Sequence, residues 1–571
     1  MSAGIGPDED VMMEHHNDCP TRRPVRLRPA LLAAALALGL PTAPALAADA
    51  APQGVPQSVL QQAQSLPEPQ MAQQAQASFV LQGVEFVGAT LVPESELQAA
   101  VAEMIGQSVT FADLQQLTVK AAAVYARHGY GLARVFVPVQ EVVDGRIKLS
   151  VLEGKLGEVS IEIAEGAPIH LERVAGMLSV LKPGEPLSTN EYERAMLLLS
   201  DLPGIKPQSS VTVGASSQAN DLRVHVEARD RFQFMLGLDN NGTRDSGRLR
   251  LTGSLRWSSP FERGDNLDLR IMAAQGMHTA FGRISYETPV GYSGLRIGGG
   301  LARVQYELGG PFAPLKPTGV GDVADLSFNY PLIRQRTTNL LLRGALERKS
   351  LTDRYETVGL ETRKRVNGVS LGLALEHRDR WGGGGYNSAN VQVYRGSLHL
   401  LDPMARVLDR PPFGYSTEGS FTKFTLQAAR LQYLAPRWSL MASVGYQHAS
   451  RNLDPYEKLS LGGPKAVRAY ATGEVLVDDG WLGALELRFS PRPETTLYAF
   501  YDAARGDMYH RRRVFDPDLG RSLRGYGLGF SWSKPGSLSM NLSVAWRATG
   551  PGVTDGGDRN PRIYWSIQKA F

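Results

Sequence analysis

At 571 residues the chain exceeds what one ordinary core accommodates, so two or more domains are expected. Its formal charge of +4 is small for that length and excludes the concentrated basic face of a nucleic-acid binder, while a single cysteine, Cys19, excludes a disulfide framework and a cysteine-ligated metal. Glycine numbers 60, above the roughly 7% typical of soluble proteins, and with 20 Tyr, 18 Phe and 7 Trp it favours tight turns and aromatic girdles over packed helices.

The chain opens with an export signal. Residues 22–28 (RRPVRLR) supply four arginines, residues 30–40 (ALLAAALALGL) an apolar run, and Ala45-Leu46-Ala47 a small-x-small cleavage site. Residues 1–47 therefore read as a secretory signal peptide, since the apolar run is about half the ~20 residues a membrane-spanning helix needs. Cys19 falls inside it, which leaves the exported chain without a thiol. Residues 48–77, rich in Ala, Gln and Pro, read as a short helix with flexible linker.

Two modules of similar element order follow, at 78–154 and 155–229. In the first, FVLQGVEFVGAT is an expected strand with Val80, Val84 and Phe86 apolar. A helix with Leu97, Val101 and Ile105 on one face comes next, then a second helix with Leu114, Leu117, Ala121 and Tyr125 on one side and a stop at Gly129. ARVFVPVQEV and GRIKLSVLEG close it as strands. In the second module KLGEVSIEIA precedes helices near 170–181 and within PGEPLSTNEYERAMLLLSDLPG, and SSVTVGA and NDLRVHVEAR are the closing strands. His128, His170 and His225 stand alone in these modules, and Glu141 and Glu153 have no partner at a spacing suited to acid/base work, so no enzyme and no metal site is expected. The modules read as binding adaptors whose open sheet edges suit an added strand.

From residue 230 to 571 the pattern is alternation. Phe232, Phe234, Leu236 and Leu238 share one face; Leu249, Leu251, Leu255 and Trp257 oppose Arg248, Arg250, Thr252 and Arg256; Leu538, Met540, Leu542, Val544 and Trp546 oppose Ser539, Asn541, Ser543 and Arg547. A charged face opposite an apolar, aromatic-tipped one matches a water-filled lumen backed by lipid, and at roughly 20 residues per strand and loop the segment holds about 16 antiparallel strands. Counting back from the C-terminus, strands near 562–571, 538–547, 523–533, 496–503 and 481–490 alternate long connections with the short turns KPGS and PRPE. This parity places the 454–480 connection on the outer side, joining strands 11 and 12. That connection contains LGGPKAVRAYATGE, with Gly462, Gly463 and Tyr470 around one arginine, Arg468. The last residue, Phe571, ends a strand whose Ile563, Trp565 and Ile567 face one way, and reads as a signal for the barrel-assembly machinery.

Over roughly 79–571 the sequence resembles the two-partner secretion transporters of bacterial outer membranes, the hemolysin secretion/activation proteins. The likeness rests on GVEFVGAT and YARHGYGLARVFVPVQEVVDGRIKLSVLEG in the modules, which resemble POTRA domains, and on GLDNNGTRDSG, LGGPKAVRAYATGE, ALELRF and YAFYDAARG in the barrel. The resemblance implies that Arg468 matches the arginine of a V-R-G-Y loop signature and Asp502 the aspartate of an F-x-D-x-G strand signature, the loop lying inside the barrel with the two residues paired. Alternation agrees, since Tyr498, Phe500 and Asp502 share a face opposite Leu497, Ala499 and Tyr501, and a guanidinium binds a carboxylate with two parallel bonds. Glu486 and Arg488, on the polar face of the adjacent strand, complete the expected network. Ala469 and Ala504 depart from the signature, each standing where glycine is usual.

The resemblance further implies an outer-membrane pore with its POTRA modules in the periplasm. Those modules would capture a secreted partner, a β-helical adhesin, hemolysin or similar, and the barrel would pass it outward unfolded. No Walker motif is present and no cofactor is implied; folding of the partner outside would drive export. Residues 48–77 would plug the pore at rest, as a helix does in relatives. Two other readings are a barrel-assembly or insertion factor of the same superfamily, which usually carries more POTRA modules, and a small-solute porin, which has no use for adaptor modules or an inward arginine loop.

Overall fold

The computed structural model describes residues 78–214, 219–243, 245–307, 316–412, 414–513, 520–552 and 559–571; the expected signal peptide and the 48–77 segment lie outside them. The described residues fall into two compact units, one running to Arg229 and including Phe261–Gly264, the other formed by Asp230–Pro260 and Asp265–Phe571. Among the described residues no helix is long and apolar enough to cross a membrane.

The first unit begins with β1 (Phe79–Val80) and β2 (Gly83–Val87), followed by α1 (Glu94–Val101), β3 (Ser108–Val109), α2 (Phe111–Arg127), β4 (Arg134–Phe136) and β5 (Arg146–Leu152). The expected opening strand is broken, because the Leu81 and Gln82 amides donate to Gln107 and Gly145 instead of continuing one ladder. β1 therefore pairs with β3 and β2 with β5. Ile105 is a second correction: α1 ends at Val101 and tightens into a 3-10 turn, so the helical phase that buries Leu97 and Val101 is lost and Ile105 is exposed. α2 behaves as its pattern predicts. Thr110 and Asp113 form a reciprocal capping box, Leu114, Leu117, Ala121 and Tyr125 are buried, and Gly129 leaves the helix at a φ of 87° that favours glycine.

The same plan recurs with β6 (Lys155–Ile163), α3 (Leu171–Leu178), α4 (Thr189–Ser200), β7 (Ile205–Val213) and β8 (Ala219–Ala228). The sheets are ordered β2-β5-β4 and β6-β8-β7, each with its first strand parallel to the central one. Leu156, Val174, Leu178, Tyr192, Leu199, Ile205, Leu222 and Val224 form the second core.

In the second unit, the strands are β9 (Phe232–Asp239), β10 (Arg250–Ser258), β11 (Asn266–Ala274), β12 (Thr279–Pro289), β13 (Arg296–Glu307), β14 (Pro317–Arg334), β15 (Thr338–Tyr355) and β16 (Leu360–Asp379). They continue as β17 (Gly385–Leu400), β18 (Gly419–Ala435), β19 (Trp438–Ala449), the short β20 (Leu459–Ser460) and β21 (Leu476–Val477), then β22 (Asp479–Arg492), β23 (Thr495–Asp507), β24 (Gly520–Ser533), β25 (Leu538–Arg547) and β26 (Arg562–Ala570). All but β20 and β21 join one closed antiparallel barrel of 16 strands, sealed where β26 pairs with β9. Closure removes every strand edge, which a hydrocarbon environment requires.

The outer face presents Phe232, Phe234, Leu236 and Leu238 on β9, Leu251 on β10, Leu269 and Ile271 on β11 and Leu485 and Leu487 on β22. An apolar surface this continuous belongs in lipid rather than water. The opposite face carries ion pairs such as Arg250–Asp239 at 2.8 Å, Arg256–Asp268 at 2.9 Å and Arg283–Asp325 at 2.8 Å. Strand lengths depart from the regular expectation: β22 and β23 outrun their predicted ends, and β16 alone takes 20 residues. Phe571 lies one residue past β26; its amide donates to the Phe234 carbonyl at 2.9 Å and its ring lies 5.6 Å from that of Phe234, at the closing seam.

Candidate functional site

The connection between β19 and β22 leaves the barrel wall, makes a narrow neck where β20 pairs with β21, and folds back. Two glycines permit the fold. A Cβ on Gly462 would strike the Ala471 carbonyl, and Gly463 holds a φ of 126°. Within the neck the Leu461 amide donates to Val475 at 2.9 Å, the Val467 amide to Leu461 at 3.1 Å and the Tyr470 amide to Val467 at 3.1 Å. Leu461, Val467, Ala469 and Tyr470 bury against Phe500 of β23, Leu523 of β24 and Ala545 of β25. On β23 the exposed residues are Leu497, Ala499, Tyr501 and Arg505, whereas Phe500, Asp502 and Ala504 are buried, so the loop occupies the inner side of a closed wall.

Arg468 sits at the tip of this inward fold. Its Nε donates to Asp502 Oδ2 at 2.9 Å and its Nη2 to Oδ1 at 2.7 Å, a two-pronged bond that matches the fork of the guanidinium to the carboxylate. The Arg468 backbone amide adds a third bond to Oδ2 at 3.0 Å. The remaining Nη1 donates to Glu486 Oε1 at 2.7 Å, and Glu486 Oε2 accepts from Arg488 Nε at 2.8 Å. Two cations thus face two carboxylates in a chain Asp502–Arg468–Glu486–Arg488. The guanidinium carbon also stands 3.5 Å from the centre of the Phe500 ring, whose face attracts a cation. Asp502 is wholly buried and Arg468 and Glu486 are each 8% exposed, so removing one member leaves a desolvated charge.

β24 supplies what the sequence reading missed. Asp502, Phe500 and Tyr498 stand opposite Gly525, Gly527 and Gly529 in the β23–β24 register. A Cβ on Gly527 would come within 2.5 Å of the Phe500 ring, and one on Gly529 would overlap Tyr498. A Cβ on Gly525 would lie 2.7 Å from the Ala469 Cβ. The missing side chains on β24 therefore make room for the aromatic floor beneath Arg468 and for Ala469 of the loop. The legible signal was the alternating glycine in GYGLG at 525–529. Tyr470 is fixed from both ends: its hydroxyl donates to the Thr549 carbonyl, and its carbonyl accepts from the Tyr564 hydroxyl at 2.9 Å.

A second anchor holds the beginning of the connection. Glu457, buried, accepts from Lys349 of β15 at 2.8 Å and Lys423 of β18 at 3.0 Å; Asp454 accepts from Lys364 of β16 at 3.0 Å; and the Tyr456 hydroxyl donates to Asp353 of β15 at 3.0 Å. One end of the loop is thus tied to β15, β16 and β18 and the tip to β22 and β23. No spacing in the sequence announces this, because the partners are 34 to 108 residues apart.

The structure brings together Gly462, Gly463, Arg468, Tyr470, Glu486, Arg488, Phe500 and Asp502; Phe571 stands apart at the seam. Ala504 is buried beneath the loop. In the first unit Glu153 proves structural: its carboxylate accepts from the amides of Thr90 and Leu91 at 2.6 and 2.7 Å and from the Tyr125 hydroxyl at 3.0 Å. His128 and His225 lie beside Glu96 and Glu162 on the surface.

Comparison with known proteins gives a consistent set of similarities. Residues 218–532 match the family model of the haemolysin secretion/activation protein ShlB/FhaC/HecB, and residues 79–154 match the ShlB-type POTRA domain. The chain is 24% identical over 462 residues to the heme/hemopexin transporter protein HuxB of Haemophilus influenzae, covering 80% of each, and 23% identical over 484 residues to the outer membrane transporter CdiB of Dickeya dadantii, covering 83% of each. Among solved structures it is similar to CdiB from Escherichia coli, with a TM-score of 0.66 at 20% identity over 89% of this chain and 93% of that one. BamA from Haemophilus ducreyi lacking POTRA domains 1–3 gives a TM-score of 0.54 at 16% identity, covering 86% and 100%. At these identities the two solved structures establish the fold alone.

Proposed function

Because the chain belongs to the haemolysin secretion/activation protein ShlB/FhaC/HecB family, outer-membrane transporters of two-partner secretion rather than enzymes, we propose that it recognises one secreted partner through its N-terminal modules and exports it unfolded through the barrel. The observation that carries this reading is the loop clamped inside the lumen. A porin for small solutes gains nothing from a buried bidentate pair that occupies its channel, whereas an exporter needs a pore that is closed to solutes until a partner arrives.

Releasing the loop separates the buried pair, so the partner must bind the released-loop state more tightly than the clamped one. Capture supplies that difference. β2 and β6 each pair with a single neighbour in their sheets, and the outer edge of each offers backbone groups to an extended chain. The partner then emerges on the side of the long connections, where its folding, into a β-helix on this reading, prevents return and replaces a nucleotide as the driving force. The periplasmic side receives the unfolded partner.

The test places a photo-reactive residue at Glu85 on β2 or Ser160 on β6 in the full chain, co-expressed with a candidate secreted partner protein. Cross-links to that protein during export, lost when its N-terminal segment is deleted, support capture by strand addition. Efficient export with cross-links from neither strand refutes it.

A further inference from the structure

Two histidines and an aspartate far apart in the sequence meet at the end of the barrel from which the long connections emerge. His448 is the penultimate residue of β19, Asp479 the first of β22, and His510 lies just past the end of β23. Both imidazoles present Nδ1 to the same carboxylate. His448 Nδ1 is 2.7 Å from Asp479 Oδ1, His510 Nδ1 is 2.8 Å from Oδ2, and the rings stand 5.6 Å apart at 70°. The three potential ligand atoms all lie within 4.8 Å of one another.

The backbone around them is held in place. Asp478, wholly buried, accepts from the His510 amide at 3.0 Å and the Leu453 amide at 3.1 Å, and is paired with Lys458 at 3.0 Å. The Arg511 amide donates to Asn452 at 2.7 Å, and the Ala449 amide to Asp479 Oδ1 at 2.9 Å. Two ligands rest on adjacent barrel strands and the third on a loop tied to both, while His448 remains exposed to an approaching ion.

From this geometry we infer that His448, His510 and Asp479 bind one divalent transition-metal ion of the zinc type. Two imidazoles and a carboxylate suit zinc, nickel or copper and disfavour magnesium or calcium, which prefer all-oxygen sites. Metal–ligand distances of about 2.0–2.1 Å in a tetrahedron place ligand atoms about 3.3 Å apart, so each His–Asp contact opens by about half an ångström while the two imidazoles, whose ligand atoms lie within 4.8 Å of each other, turn toward a shared ion. Binding through Nδ1 moves each ring proton to Nε2, exchanges two N–H···O bonds for three bonds to the ion, and leaves a fourth position for water. The ion joins the ends of β19, β22 and the β23–β24 connection, and therefore clips the neck of the inward loop from outside the lumen.

Titration of the tag-free, chelator-stripped, full-length protein in detergent with zinc chloride tests this, with cobalt as a spectroscopic substitute. The expected result is one ion per chain at micromolar zinc, a tetrahedral cobalt absorption, and a loss of affinity of about tenfold or more in His448→Gln, His510→Gln and Asp479→Asn. Retention of the heat-resistant barrel band on gels shows that each variant is folded, and His399→Gln serves as a control that leaves binding unchanged. No binding at micromolar zinc, or binding of equal affinity in the His448→Gln/His510→Gln double variant, overturns the assignment and leaves the cluster as a carboxylate shared by two imidazoles.

Discussion

Arg468→Ala is the substitution that separates a clamped loop from a merely adjacent one. It removes both side-chain bonds to Asp502, the bond to Glu486 and the cation over Phe500, while Asp502 keeps only the backbone amide of residue 468 and Glu486 keeps Arg488. A wholly buried carboxylate stripped of its partner costs about 3–5 kcal/mol, which at 1.4 kcal/mol per tenfold shifts the docked-to-released equilibrium by roughly two to three and a half orders of magnitude. The shift is readable by thiol labelling. Cys19 is the single cysteine in the sequence and falls in the expected signal peptide, so Val467→Cys, at a wholly buried loop position, reports release on its own. Maleimide labelling in intact cells should rise by about a hundredfold or reach the unprotected limit in Arg468→Ala, with Arg468→Lys between, because a lysine gives one point charge and no planar fork. The barrel ladder is untouched, so the protein should still reach the outer membrane. Equal, slow labelling of Val467→Cys with and without Arg468 would show that the ion pair does not hold the loop, and the clamp would have to be abandoned.

Gly525→Ala should displace the loop by setting a methyl about 2.7 Å from Ala469 Cβ, well inside the roughly 3.5–4.0 Å of a normal carbon contact, and the added Ala469→Gly should restore both labelling protection and export. Glu457→Gln loosens the other anchor by uncoupling Lys349 and Lys423; single-channel recordings should show brief openings in Glu457→Gln or Arg468→Ala and sustained ones in the double variant, and a double variant no more open than either single would mean the anchors are one unit. In the first module, burial alone would raise the Glu153 carboxyl, but bonds from Thr90, Leu91 and Tyr125 win and hold it below the usual glutamate range. A depressed folded value stabilises above the unfolded glutamate value of about 4.3 and is lost as pH falls through the lower folded value, so amide exchange at Thr90 and Leu91 should accelerate only below about pH 4, and Glu153→Gln should remove that acid step.

What could be read without coordinates was local. Period-two alternation gave a barrel, because lipid on one side and water on the other impose opposite polarity on successive residues of every strand. The length of the segment, at roughly 20 residues per strand and loop, gave 16 strands, and loop-length parity placed the Arg468 connection on the outer side, because a closed antiparallel sheet alternates its connections between two ends. The modules were legible as βααββ through helix periodicity, yet the Phe79–Val87 strand broke and Ile105 fell outside its helix, since both depend on which distant amide or turn competes for the backbone. The Arg468–Asp502 pairing was suggested by a family resemblance and by the alternation of one strand.

The sequence by itself therefore determined the two-part plan, the sixteen-strand wall and the loop that carries one arginine, because these follow from repeating patterns within a few residues. Only the tertiary structure decided which lysines receive Glu457, why three glycines on β24 face Tyr498, Phe500 and Asp502 of β23, and that His448, Asp479 and His510 share a rim. Each of those contacts exists because the barrel closes in a fixed register, and register across 30 to 100 residues leaves no periodic trace in the chain.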